Sequence, residues 1–146
     1  MIEATVTINI AKPISEVFEY TANPLHAQDW YENVKKSEYE LQDGKVLVGS
    51  KASLRTNIMG KDYDFTYNIV VLERDQRMLM KTEAGPFPME SEYTFRAIDD
   101  THTEVTIVNR ATPKGVPSFL LSMVTGKVQK TIEESAAQLK QILEAK

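Results

Sequence analysis

Residues 116–144 read VPSFLLSMVTGKVQKTIEESAAQLKQILE, and one helical period runs through them. Val116, Leu120, Met123 with Val124, Val128, Ile132, Ser135 with Ala136, Leu139, and Ile142 with Leu143 recur at steps of three and four. That spacing draws a single apolar stripe along a helix. Lys127, Lys130, Glu133, Glu134, Lys140, Gln141 and Glu144 take the opposite face, so the helix is amphipathic. Pro117 suits the first turn, where a missing N–H costs nothing, and no proline follows it. A helix of this length would run about 42 Å, more than a domain of this size needs for simple closure. Nearly everything before it reads as strand. The stripe must therefore bury against a sheet, and a curved sheet wrapped around the helix is the arrangement expected.

Outward from the helix, residues 103–111 form the last expected strand, with Val105, Ile107 and Asn109 on one face. Asp99-Asp100-Thr101-His102 turns the chain into it. Met89, Ser91, Tyr93, Phe95 and Ala97 alternate with Glu90, Glu92, Thr94 and Arg96. The clearest period of two belongs to Tyr63, Phe65, Tyr67, Ile69 and Val71, set against Asp62, Asp64, Thr66 and Asn68. A short strand over 78–83 lies between these two. Further back come strands over 46–58, where Gly49 predicts a bulge or bend, and over 34–41, followed by a hairpin turn at Asp43-Gly44. Ile2, Ala4, Val6, Ile8 and Ile10 give a half-buried first strand, ended by Lys12-Pro13. Ile14, Val17, Phe18 and Thr21 then mark a short helix, stopped by Asn23-Pro24, and Leu25 to Trp30 a second. The order is strand, two short helices, six strands, long helix: an α+β chain.

Successive hairpins alternate in direction, so every second connection lies at the same end of the sheet. One end collects the polar turns at 42–44, 73–76 and 99–101. The other collects Ile58-Met59-Gly60, Gly85-Pro86-Phe87-Pro88-Met89 and the approach to the helix, 112–119. Apolar residues in loops that share one end point to the mouth of a hydrophobic cavity. The plainer alternative is that these loops pack on the helix N-terminus.

Composition bounds the functions. The 146 residues, 42% hydrophobic and 26% charged, have the length and balance of one globular domain spanning 1–146. A net charge of −4 speaks against nucleic acid or an anionic membrane as partner, since both call for a basic stripe. With no cysteine, disulfides, thiol catalysis and cysteine-ligated metals are excluded. No signal pattern opens the chain and no apolar run reaches membrane-spanning length, so a cytoplasmic protein without stable membrane insertion is expected.

The opening Ile10-Ala11-Lys12-Pro13-Ile14-Ser15-Glu16-Val17-Phe18-Glu19-Tyr20, then Asn23-Pro24 and Trp30, resembles the START-like (SRPBCC) domains of the polyketide cyclase/dehydrase and lipid transport group. There a strand leads through a proline into a helix with a Val-Phe or Val-Trp pair, then a short helix ending in Trp. The element order extends the resemblance over the whole chain. It implies the helix-grip fold, a seven-stranded antiparallel sheet gripping the C-terminal helix with a ligand cavity between. Catalytic residues vary among members, so none carries over by motif.

The candidate residues divide by chemistry. His102 sits in an acidic turn and reads as solvated. His26 has Asp29 at i+3, a spacing at which a carboxylate can orient an imidazole, although a surface pair is the plainer reading. Two histidines with neither HExxH nor cysteine predict no metal site, and nothing in the sequence calls for a cofactor. Glu90, Glu92 and Arg96, like Asp62 and Asp64, fall opposite aromatic faces and belong to a solvated surface; Arg55 also faces out. The inward set is Tyr63, Phe65, Tyr67, Met78, Met80, Tyr93, Phe95, Val105, Ile107 and Asn109, against Leu120, Met123, Val124 and Val128 of the helix. Polar tips in an apolar interior suit a ligand with a few oxygens, since each left unpaired costs about 1–3 kcal/mol. The ligand-binding candidates are Tyr63, Phe65, Tyr67, Met80, Phe87, Tyr93, Phe95, Asn109, Leu120, Met123 and Val124. Gly126, mid-helix, marks either a close backbone approach, cavity space or a tolerated accident.

Three functions fit. The first is a carrier or sensor of a small hydrophobic molecule of lipid, polyketide or aromatic metabolite class, in a monomer or homodimer. The second is a cyclase- or dehydratase-like enzyme in which the tyrosines, Tyr93 among them, or Asn109 polarise a carbonyl and His26 or a pocket carboxylate moves a proton. The third is a protein-interaction module resembling the START-like co-chaperones.

Overall fold

A computed structural model of the chain describes residues 1–39 and 46–146. The Asp43-Gly44 turn expected from the sequence lies outside them. The order is β1 (Ile2–Ile10), α1 (Ile14–Thr21), a 3-10 turn (Pro24–His26) running into α2 (Ala27–Trp30), then β2 (Val34–Tyr39) and β3 (Lys51–Ile58). β4 (Lys61–Glu73), β5 (Arg77–Ala84), β6 (Met89–Asp99), β7 (His102–Ala111) and α3 (Leu121–Glu144) complete it, with a 3-10 turn over Ser118–Leu120 before α3. The strands form one seven-stranded antiparallel sheet in the order β1-β7-β6-β5-β4-β3-β2. Hairpins from β2 to β7 build it in sequence, and β1 closes onto β7 with Ile8 opposite Val105. Register shifts at Thr66/Tyr67 and Ile69/Val71 in β4 accompany the curl of the sheet, since an extra residue on one strand bends it.

The apolar face of each strand lies inward, and α3 lies across it against β1. Ile132, Ser135, Ala136, Leu139 and Leu143 are buried, at helical spacing. α1 contributes Val17 and Phe18, and Phe18 meets Phe95 edge-on at 5.1 Å between ring centroids. Trp30, at the end of α2, is among the largest fully buried side chains and stacks on Tyr31 at 4.0 Å. This is the helix-grip arrangement.

Three local expectations change. α3 starts at Leu121 rather than near Val116, because Pro117 begins a separate 3-10 turn. Gly49, with φ +87°, stands in the turn before β3 rather than in a bulge within a longer strand. Gly126 has only open space where a Cβ would sit, so it serves no close approach.

Candidate functional site

Polar fastenings along α3 set the space between sheet and helix. At the C-terminal end of α3, the Glu144 carboxylate accepts the Ala11 N–H at 2.8 Å and a Lys140 Nζ hydrogen bond at 2.9 Å. Midway along, the Glu32 N–H donates to Ser135 Oγ at 2.9 Å, which in turn donates to the Thr131 carbonyl at 2.8 Å. Gln129 still holds the edge of β1, donating to the Thr5 carbonyl at 2.9 Å and accepting the Thr5 N–H at 3.3 Å, but from Thr131 toward the N-terminus no residue of α3 is fully buried. Between its N-terminal half and the concave sheet lies a cavity of about 760 Å³. Val124, Lys127, Val128, Thr131 and Ile132 line it from the helix. The sheet contributes Ile2, Ile58, Tyr63, Met89 and Asn109, and the end of α2 contributes Tyr31. Its mouth is formed by Met59-Gly60, Phe87, and Pro113, Lys114 and Val116, three connections that share the apolar end of the sheet.

The mouth is built from constrained backbone. Met59 and Gly60 close the β3–β4 hairpin with φ +54° and +87°, the two left-handed residues of a primed turn. That conformation usually falls to Asn-Gly; here a methionine takes the strain and stays 56% exposed. Gly85, with φ +150°, passes so close to Phe65 that a Cβ would lie 2.6 Å from its ring. Phe65 then supports Phe87 edge-on at 5.4 Å, and Phe87 meets Tyr63 at 6.4 Å. Lys61 sits 5.5 Å over the Tyr63 ring.

At the inner wall three tyrosines gather. Tyr31 donates to Asn109 Oδ1 at 3.2 Å, and the Tyr31 and Tyr93 hydroxyls are 3.0 Å apart. Tyr67 donates to Met89 Sδ at 3.8 Å, a weak bond. Burial, and then the neighbouring Tyr31 hydroxyl, push Tyr67 and Tyr93 above the ordinary tyrosine range. Burial, the largest cause, also raises Tyr31, although its hydrogen-bonded neighbours Tyr93, Asn109 and Ser91 oppose the shift. These phenols therefore stay protonated at neutral pH. The charged residues of the lining, Glu32, Lys35, Arg110, Lys114 and Lys127, are not fully buried. Lys35 pairs with Asp62, and Arg110 reaches Glu3, Glu90 and Glu92 in the charge ladder of the opposite sheet face.

The sequence-derived candidates separate cleanly. Tyr63, Phe87, Asn109 and Val124 line the cavity. Phe65, Tyr67, Met80, Tyr93 and Phe95 point inward but are core side chains, outside the lining. Phe95 is covered by Phe18 of α1, Tyr93 by Trp30 of α2, and Phe65 by Gly85 and Phe87; inward-facing is not the same as cavity-facing. Leu120 belongs to the 3-10 turn, and Met123 is 49% exposed, one residue off the lining face of α3. His26 lies away from the cavity, stacked on Tyr20 at 4.2 Å with Nδ1 2.9 Å from the Tyr20 carbonyl oxygen. Asp29 acts on Tyr20 instead: burial first, then the Asp29 charge, raise that phenol. His102 bonds Asp99 and Thr101 in an exposed turn. Among the described residues no group of three or more His, Cys, Asp or Glu is placed to hold a metal ion.

Sequence reasoning missed Tyr31, Asn33, Asn57 and Thr131. Thr131 was within reach, seven residues after Val124 on the same helical face. Tyr31 and Asn33 follow α2 in irregular chain, where no periodicity marks an orientation.

The sequence model for polyketide cyclase / dehydrase and lipid transport matches residues 1–144. No curated protein matches the sequence. Solved structures share the fold. One is a START superfamily protein from Mycobacterium smegmatis, 14% identical, with 99% of each chain covered and a TM-score of 0.80. Another is a protein from Thermus thermophilus, 16% identical, covering 98% of this chain and 97% of that one, with a TM-score of 0.82. A third is the Zhui aromatase/cyclase from Streptomyces sp. R1128, 14% identical, covering 98% and 91%, with a TM-score of 0.71. At such identities the likeness speaks for the fold. No helix of the described residues is long and apolar enough to cross a membrane.

Proposed function

We propose that this chain, which belongs to the polyketide cyclase / dehydrase and lipid transport family, binds a small, mostly apolar molecule between its sheet and α3 as a carrier or sensor. The observation that carries this reading is the cavity itself. Its volume of about 760 Å³ falls in the range of small-molecule sites. About half of its lining residues are Ile, Val, Met, Phe or Tyr, and the polar ones include Asn109 at the inner wall and charged side chains at more exposed positions, a composition that holds a lipid, polyketide or aromatic metabolite by burial and orients it by polar contacts.

An enzyme is the second reading, favoured by the likeness to an aromatase/cyclase and by Tyr31 and Asn109 standing together at the inner wall. Binding is preferred because the inner wall offers phenols and an amide and no side chain that exchanges protons near neutral pH. His26 is elsewhere, and the lysines and Glu32 stand at more exposed positions.

Thermal-shift measurements against lipids, polyphenols and polyketides test the reading. A ligand at a hundred times its Kd stabilises the native chain by about 2.7 kcal/mol, a shift of several degrees. A turnover assay on each hit separates carrier from enzyme. A panel that leaves the melting temperature unmoved throughout contradicts both.

A further inference from the structure

Counting protons at the inner wall fixes the direction of the bond between its two tyrosines. Tyr31 has one hydroxyl proton and gives it to Asn109 Oδ1. The contact between the Tyr31 and Tyr93 hydroxyls must then take its proton from Tyr93. The chain of donation runs Tyr93 to Tyr31 to Asn109, and it ends on an amide whose oxygen is occupied. The Asn109 Nδ2 carries two N–H groups, and among the described residues no oxygen accepts from either. Asn109 is half-buried and lines the cavity beside Tyr31, while Tyr93 lies behind the wall. Ser91, its partner across β6 and β7, is buried and spends its hydroxyl on the two tyrosines.

We propose that Asn109 is the residue that selects the ligand's chemistry, its amide N–H groups taking a carbonyl oxygen that an otherwise apolar molecule brings to the inner wall. The inference rests on the cavity being a ligand site, as proposed above. A carbonyl accepts through two lone pairs and brings no proton that needs a home. A hydrocarbon leaves the donors dry and unpaired once water is displaced. A carboxylate would be held by the cations at the more exposed part of the lining, Lys114 and Lys127, rather than by the neutral amide at the inner wall. The two tyrosines set the amide's orientation: without the proton from Tyr31, oxygen and nitrogen ends are free to exchange. Because burial keeps both phenols protonated, the preference holds across neutral pH.

Trp30, the chain's one tryptophan, stacks on Tyr31 at 4.0 Å and reports occupancy of this wall by its fluorescence. The test titrates full-length protein with 9-fluorenone and with fluorene, the same skeleton with and without the carbonyl. Fluorenone is expected to bind about tenfold more tightly. In Asn109→Leu the gap should close to less than about twofold through loss of fluorenone affinity, with fluorene binding retained as proof of an intact cavity. Tyr31→Phe, read the same way, should narrow the gap and serves if the leucine variant does not fold. Equal binding of the two compounds by the native chain, or an undiminished gap in both variants, overturns the role of Asn109 and leaves the ligand site standing. Failure of both compounds to bind the native chain contradicts the ligand site, and this inference with it.

Discussion

The two halves of α3 are one continuous helix with opposite surroundings. From Ile132 onward, Ile132, Ser135, Ala136, Leu139 and Leu143 are all buried against sheet and α2. From Leu121 to Thr131 no residue is fully buried, and Leu121 and Met123 are 37% and 49% exposed. The helical period is the same in both. What differs is what faces it: side chains of β1, β7 and α2 in one half, a hollow in the other. One half therefore holds the fold together and the other is free to hold something else.

The difference is sharpest in stability. Leu139 is fully buried, and Leu139→Ala should cost about 2–5 kcal/mol by denaturant unfolding, as deletion of packed core methyl groups does. Val124→Ala, on the cavity face, should cost about 1 kcal/mol or less, because its methyl groups are only half-buried to begin with. Equal losses at the two positions would break the division. A smaller effect of opposite sign is expected at Gly126, which has open space around its Cβ position in a regular helix. Gly126→Ala should raise stability by about 0.5–1 kcal/mol, through helix propensity alone. A loss there would mean the cavity half is packed more tightly than its surroundings indicate.

The smallest effect is electrostatic and belongs to the packed half. The Ala11 N–H, and then Lys140, hold the Glu144 carboxyl below its ordinary value of 4.5. A depressed folded-state value stabilises the native chain above pH 4.5, and the contribution is lost as pH falls through the folded-state value. Melting curves of Glu144→Gln should therefore lie slightly below those of the native chain near neutral pH and merge with them in acid. A difference that persists in acid would assign the effect to shape rather than charge.

Much of this was legible in the residues. The alternation in 63–71 and 89–97 gives β4 and β6 with their inward faces, and the stripe from Val124 to Leu143 gives α3. The Met59, Phe87 and Val116 connections were legible as one apolar end of the sheet, and all three line the cavity mouth. What alternation cannot convey is how deep the opposing layer is. Phe65 and Tyr63 share a face of β4, yet Phe65 is clamped beneath Gly85 while Tyr63 meets the hollow. Likewise Tyr93 and Asn109 both point inward, and only the position of Tyr31 puts one behind the wall and the other on it. Tyr31 itself sits after α2 in irregular chain, held by a stack on Trp30 that no local pattern announces.

The central claim is that the N-terminal half of α3 covers empty space, and filling that space tests it most directly. Val128→Trp places an indole into the cavity from its helical wall. Saturable binding of the apolar probe N-phenyl-1-naphthylamine to the native chain, abolished in Val128→Trp at unchanged folding stability, is the expected result. No saturable binding by the native chain, or a loss of more than about 2 kcal/mol in the variant as an overpacked core would give, would contradict it.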